Sequence, residues 1–471
     1  MREEFEDIFR DEEYSDLVSR YEEMLKKDVK YFFDVYEFEN IIDYYIDTNK
    51  ANLALNAIRY ASQQHPYSSI LQLKKAQVLV EKGLAKQALQ ILDEIEKIES
   101  SNSDFYLLKG NALNIIGRYN EAEKNFDIAI QLSYDDKVDV IHAVAQSFEQ
   151  IGRYKTAIKY LLEAFRYDNQ NISLLYDIGY SYEKIGQINK SIEYYNLFLD
   201  QDPFSENAWY NLGIIYYKAE KYNKAIESYE FALAINPDFS LAYFNLANAY
   251  SEKGEYHKAI LNYKEYMQYD GESVEILTYI GDCYESIGEF DMALKYFDQA
   301  IARDNYFADA FYGKANVLFR MDKVQQALPL TEKALLIDDL NPEYYFLLGN
   351  IYNELRENKK ALTAFKKAYE LDPYEMDFIL SLSEALAEQN KFKEALKLLL
   401  EAKKDHYNQA EVYYRISGCY FGLNKIKEAV EYFEHGLKIN PKLYIDILII
   451  HPHALENNEL NNLLDKYFLN K

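Results

Sequence analysis

Apolar residues recur along this chain at spacings of three and four, in short blocks separated by brief polar turns, and that period belongs to helices rather than strands. In the stretch NAWYNLGIIYY at 207–217, Trp209, Leu212, Gly213 and Tyr216 fall on one helical face. After a polar turn, Ala225, Tyr229 and Ala232 form a second apolar face that ends at Pro237. Thirty-four residues after the first stretch, LAYFNLANAYS at 241–251 returns small, aromatic and Asn residues to the same slots. The spacing predicts a hairpin of two helices, A and B, as the unit of the chain.

One frame carries that unit. It restarts at Val35, Ser69, Ser103, Val138, Ile172, Glu206, Ser240, Val274, Ala308, Pro342, Met376 and Ala410, twelve repeats over residues 35–443 with one extra residue before Val138. Each recurring residue has a steric reason. Gly or Ala at the eighth position, as at Gly213 and Gly281, and Ala at the twentieth, as at Ala225 and Ala293, let A and B approach closely, while large residues such as Tyr229 and Phe297 fill the space beside them. Gly or Asn at the fifteenth, as at Gly152 and Asn390, suits a helix end that needs a left-handed residue, and Pro237 or Pro373 stops helix B. In the ninth repeat, Pro329 falls inside helix B and is expected to kink it or delay its start.

The pattern of Trp209, Leu212, Gly213, Tyr216, Ala225, Tyr229, Ala232 and Pro237 resembles the tetratricopeptide repeat, including its 34-residue length. The resemblance implies an all-α, right-handed superhelix of helix hairpins whose concave groove is lined by helix A. It implies no enzymatic activity. Residues 1–34 and 444–471 are expected to be helical end caps, since a solenoid end otherwise exposes an unpaired apolar face. The amino-terminal one resembles a lone helix B, the carboxy-terminal one a helix A broken at Pro452 and followed by a more polar helix.

The same architecture turns the second, fifth, sixth, ninth, twelfth and thirteenth positions of helix A toward the groove. The fifth gives an aromatic row, Tyr176, Tyr210, Phe244, Tyr312, Phe346 and Tyr414, with Asn211 and Asn245 at the sixth and Asn248, Asn316 and Asn350 at the ninth. Tyr180 and Tyr217 belong to the same face, while Trp209 and Leu212 are expected to point inward. Amides on a helical pitch bridge the N–H and C=O groups of an extended peptide, and aromatics pack its side chains. These positions also hold about four times as many Asp and Glu as Lys and Arg, among them Asp43, Asp47, Asp177, Asp282, Glu285, Asp309, Glu384 and Glu388. None has Lys at the fifth position, so the chain is not expected to clamp the carboxylate tails of cytosolic chaperones.

Charge narrows the partners further. A net charge of −26 disfavours nucleic acid and anionic membranes, leaving a protein or peptide segment, basic or neutral, as the expected ligand. Pairing of two copies through caps or convex faces is the competing reading. The acidic start MREEFEDIFR lacks the pattern of an export signal and no apolar run is long enough for a membrane span, so a cytoplasmic location is expected. No catalytic, cofactor-binding or metal-binding set is expected: the histidines, His451 and His453 among them, lack metal spacing, and Cys283 and Cys419 share one slot of the repeat as small core fillers.

Overall fold

The computed structural model describes residues 16–27 and 29–468. Among them every regular element is a helix and no strand occurs. A helix over 16–27 is followed by twelve A/B pairs, from Val35–Asp47 with Ala51–Gln64 to Ala410–Gly422 with Ile426–Ile439. The chain forms two compact bodies, Met1–Pro237 and Asp238–Lys471, with six pairs in each.

Side-chain caps mark the start of several A helices. Ser205 Oγ accepts from the Ala208 N–H at 3.3 Å and Asn341 Oδ1 from the Glu343 N–H at 3.0 Å, while Asp34 and Glu37 form a reciprocal capping box. The A helices end alike. The N–H of Lys221 reaches the Tyr216 carbonyl at 2.9 Å and that of Glu220 reaches the Tyr217 carbonyl at 2.9 Å, a Schellman closure that holds Glu220 at φ 57°. Every fifteenth position of the frame shares this left-handed backbone, and three carry neither Gly nor Asn: Glu220, Asp322 and Arg356.

Those three side chains cost the fold something, because a left-handed residue with a Cβ is disfavoured by roughly 1–2 kcal/mol. Replacing Arg356 with Gly is therefore expected to raise stability by about 0.5–1 kcal/mol, the relief of strain less the added freedom of Gly in the unfolded chain. The converse change, Gly152→Ala at φ 74°, is expected to lower it. Thermal melts of both variants check the pair, and a lower midpoint for Arg356→Gly would refute the account.

Packing follows the small slots. Ala225, Ala259, Ala293 and Ala327 are fully buried, and in the fifth repeat Ser191 takes that slot and donates its hydroxyl to the Gly179 carbonyl at 2.6 Å. At the eighth position the absent side chain matters most. A Cβ on Gly213 would lie 2.5 Å from the Tyr229 ring, and one on Gly349 would lie 2.5 Å from the Phe365 ring, so the aromatic of helix B rests on the bare backbone of helix A. Cys283 and Cys419 are both buried and unpaired, and burial pushes their thiols up to about 11 and about 12.

Of the two effects expected of Pro329, the delayed start does not occur. The helix Val324–Ile337 runs through Pro329 and starts where the other B helices start, so proline does not delay it.

At the amino end Val18, Tyr21 and Met24 pack on Phe38, Ile41 and Tyr45 of the first repeat, with residues 1–15 and 28 of the expected cap outside the described residues. At the carboxy end the place of a further helix A is taken by the five-residue helix Asp446–Ile450, which stops before Pro452, and the helix Asn458–Phe468 closes the chain.

Candidate functional site

The A-helix faces divide by body. In the amino-terminal one, the helices Ile172–Lys184 and Glu206–Lys218 carry Tyr176, Tyr180, Tyr210, Asn211 and Tyr217, all half-buried. These residues are packed on one another. Asn211 Nδ2 donates to the hydroxyls of Tyr176 at 2.7 Å and Tyr195 at 3.3 Å, and the Tyr176 ring meets Tyr195 edge-on at 5.5 Å. Both amide hydrogens of Asn211 therefore serve the scaffold. Tyr180 sits 6.1 Å from Tyr154 with Lys184 Nζ over its ring, and Tyr217 packs edge-on against Tyr222 at 5.5 Å.

Two groups beside them were not singled out from the sequence. His142 stands at the fifth position of the fourth repeat with Nε2 2.5 Å from Asp177 Oδ2. Glu149, at the twelfth, accepts from Ser181 Oγ at 2.5 Å, and burial, aided by Asp177, pushes its carboxyl up to about 6. Both were legible from the frame, which assigns those slots to the groove, but neither type belongs to the Tyr/Asn pattern. Glu183 differs: burial would raise it, yet Lys218 and Lys184 beside it hold the carboxyl below its usual range.

In the carboxy-terminal body, Phe244, Asn245 and Asn248 share the helix Ser240–Glu252. The Phe244 ring lies 5.6 Å from Tyr266 and 6.2 Å from Tyr279, and Asn248 Oδ1 accepts from the buried Tyr263 hydroxyl at 2.6 Å. Asp282 and Glu285 follow on Val274–Ser286, Tyr312 and Asn316 on Ala308–Arg320, and Phe346 and Asn350 on Pro342–Glu354. Tyr312 packs 5.0 Å from Tyr344, whose hydroxyl donates to Asp309 at 2.5 Å, and Phe346 lies 5.0 Å from Phe378. Asn316 Nδ2 donates to Glu285 Oε1 at 2.7 Å, beside an Arg320–Glu285 ion pair at 3.0 Å. Asn245 and Asn350 are half-buried on the same faces.

The charge here is uneven. Glu285 is raised by burial against the opposing pull of Arg320 and Asn316. Solvent reaches Asp282, but the wall of neighbouring protein strips its hydration, and this burial, with repulsion from Glu285 and Asp309, pushes its carboxyl up to about 7. A carboxyl in that state gains from any cation set beside it.

Two placements differ from expectation. Tyr414 is fully buried, its hydroxyl donating to the Asn440 carbonyl at 2.9 Å, because the closing segment covers the groove face of the last repeat: Ile450 lies where a Cβ on Gly418 would go, and His451 packs 5.0 Å from Phe421. Trp209 is half-buried rather than inward. Its Nε1 donates to the Pro203 carbonyl at 2.9 Å and its ring stacks at 4.6 Å on the exposed Phe231.

Among the described residues no group of three His, Cys, Asp or Glu is arranged to hold a metal ion, and no helix is long and apolar enough to cross a membrane.

Family profiles of the tetratricopeptide repeat match residues 138–171, 172–204, 206–239, 229–260, 277–305, 312–375, 354–414 and 410–443. With its run of A/B hairpins, the chain belongs to the tetratricopeptide repeat family, as an all-α solenoid. Among solved structures it is similar to a tetratricopeptide repeat protein from Parabacteroides merdae, at 20% identity and TM-score 0.45, over 53% of this chain and 98% of the other. It is also similar to YrrB, described as having an unusual peptide-binding site, at 22% identity and TM-score 0.36, over 41% and 98%. A third is MamA of Desulfovibrio magneticus, at 23% identity and TM-score 0.32, over 36% and 96%. No curated protein matches the chain.

Proposed function

We propose that the protein is a cytoplasmic, non-enzymatic interaction scaffold that holds an extended, basic or neutral protein segment on the groove faces of its A helices. Twelve repeats over 35–443 supply those faces, and the segments 1–34 and 444–471 close their ends. The observation that carries the reading is the acidic cluster of Asp282, Glu285 and Asp309, with only Arg320 among the described residues in ion-pair reach of it, alongside the half-buried rings of Tyr312 and Phe346. Carboxylates take a Lys or Arg of the segment, and the rings take its apolar side chains.

The reading has a pH signature. A cation favours ionised Asp282, so binding releases a proton where that carboxyl is still protonated. Affinity is therefore expected to rise from pH 6 to pH 8, through the value of about 7 at which Asp282 titrates. The variant Asp282→Asn is expected to flatten that rise. Calorimetry checks this with a partner recovered by pull-down and retained less by an Asp282→Asn bait. The on-rate is also expected to fall as salt shortens the Debye length below about 10 Å. A pH-independent affinity and a salt-indifferent on-rate together would refute the groove reading.

A second reading, pairing of copies, is favoured by a different feature. In the carboxy-terminal body Tyr306, Leu340, Tyr374 and Tyr407 stand exposed at the turns after successive B helices, the first three on Asx turns made by Asp304, Asp338 and Asp372. Light scattering separates the readings: a monomer whose mass is independent of concentration leaves only the scaffold.

A further inference from the structure

The groove face changes character in the second and third repeats, where Leu73 and Leu107 take the aromatic fifth slot and Asn111 keeps an amide at the ninth. The A helices Ser69–Glu81 and Ser103–Ile115 line a cavity of about 910 Å³ in the amino-terminal body. Its wall is aliphatic: Ile70, Leu73, Val80, Leu107 and Ile115 all face it, and Ile70 and Ile115 are each 43% exposed. Branched apolar side chains in the open are stable there only at the cost of ordering water, and an apolar occupant relieves it.

The cavity also holds polar groups that point to an occupant. Asn111 lines it, and its buried Oδ1 has no hydrogen-bond partner among the described residues. The rim is acidic, with Glu39, Glu81 and Asp104, and its Lys74 is already held at 2.7 Å by Asp43 and at 3.9 Å by Glu39. Burial, with repulsion from Asp47 and Asp43, keeps the Glu81 carboxyl above its usual range.

The other end of the chain shows what such a face accepts. There the groove slots of the last repeat are covered by the chain's own Ile447 and Ile450, with the acidic Asp446 set near enough to Arg415 to feel its charge. Aliphatic side chains fill the apolar slots of that face. At the amino-terminal cavity the slots are open, and the rim around them is acidic.

We propose that this cavity is a binding site for a protein segment carrying branched or unbranched aliphatic side chains and an adjacent Lys or Arg. The aliphatic side chains enter between Ile70 and Ile115, a backbone N–H meets Asn111, and the cation meets Glu39 and Glu81. The site deepens the scaffold reading and rests on it, since it assigns the partner's chemistry to one part of the groove.

Fluorescence anisotropy with the full chain tests it. The probe is a labelled twelve-residue peptide that alternates leucine with serine and ends in two lysines. Controls replace its leucines with serine or its lysines with glutamate. Binding by the probe, with each control at least tenfold weaker, is expected. The double variant Ile70→Gln/Ile115→Gln, at exposed positions whose change leaves melting unaltered, is expected to weaken the probe at least tenfold, and to weaken it more than Asp282→Asn in the other body does. No binding by the probe, equal binding by the serine control, or full affinity in the double variant would overturn the proposal. Weakening by Asp282→Asn alone would overturn this site while leaving the wider groove reading in place.

Discussion

Replacing Phe297 with Ala is expected to destabilise the carboxy-terminal body by about 3–5 kcal/mol, the range for losing a large buried aromatic together with the cavity it leaves. The ring is fully buried and is gripped from two sides. A Cβ on Gly281 would stand 2.7 Å from it, and a Cβ on Gly313, in the next A helix, would stand 2.4 Å from it. Phe297 thus joins its own hairpin to the following one through two bare stretches of backbone. Adding the missing methyls should fail for the opposite reason. Gly281→Ala and Gly313→Ala gain up to about 1 kcal/mol of helix propensity but overpack the ring, which costs about 1–3 kcal/mol, so each is expected to be a net loss. In a Phe297→Ala background the same glycine changes are expected to turn neutral or stabilising, because the cavity then receives the methyl. Urea titration with hydrogen exchange over residues 274–320 measures both arms. Independent, additive losses would show that the two glycines are not set by this ring.

Those glycines show what the sequence could and could not tell. Gly281 was legible, since the eighth slot recurs as Gly or Ala and the twenty-fourth as a large residue. Gly313 was not, because it stands in the sixth slot, which the family pattern gives to the groove, and only packing reveals that the ring of the preceding repeat lies beneath it. The left-handed turn shows the same limit. Gly and Asn announced it in nine repeats, whereas Glu220, Asp322 and Arg356 adopt it under the pull of the flanking hairpin despite their side chains. Period and volume are written in single residues and their spacing; occupancy is a property of neighbours.

The candidate site follows that division. Repeat slots gave the faces on which Asn211, Asn248 and Asn316 sit, but each amide is bonded within the scaffold, to Tyr176 and Tyr195, Tyr263, and Glu285 respectively. The hydroxyls and carboxylate that take up those amides stand 15 to 35 residues away in the chain, so no local pattern advertised them. The aliphatic cavity of the first repeats lies on slots that the frame also turns to the groove, the second for Ile70 and the fifth for Leu73 and Leu107, but these residues are neither aromatic nor amide and so stand outside the Tyr/Asn pattern.

The closing segment carries the second large effect. Ending the chain after Leu443 is expected to unlatch the eleventh and twelfth repeats, because Ile447, Ile450, Ala454 and Leu460 are all buried by the contacts they make there. Each fully buried Ile or Leu is worth about 1.5–3 kcal/mol, so losing three of them outweighs most single core changes. Arg415 offsets a little of the loss. It is 7% exposed with Nη1 donating to the Leu380 carbonyl at 2.7 Å, and its Nε has no partner, a cost that water entering over the missing segment would relieve. Since solenoid stability passes between nearest neighbours, the damage should stay local. Hydrogen exchange is expected to accelerate by roughly 100-fold or more in Ala410–Gly422 and Ile426–Ile439 and to change little in Ser240–Glu252. The point variant Ile450→Asp, which puts a charge where Gly418 and Ile450 meet, is expected to act in the same direction without shortening the chain. Both should expose the apolar end formed by Tyr414, Phe433 and Leu437, so mass by light scattering is expected to rise with concentration for the truncated chain. Unchanged exchange in the last two pairs would mean that the segment only lies on the groove face, a tethered ligand rather than a cap, and the truncated chain would then present Tyr414 and Arg415 as the continuation of the binding surface.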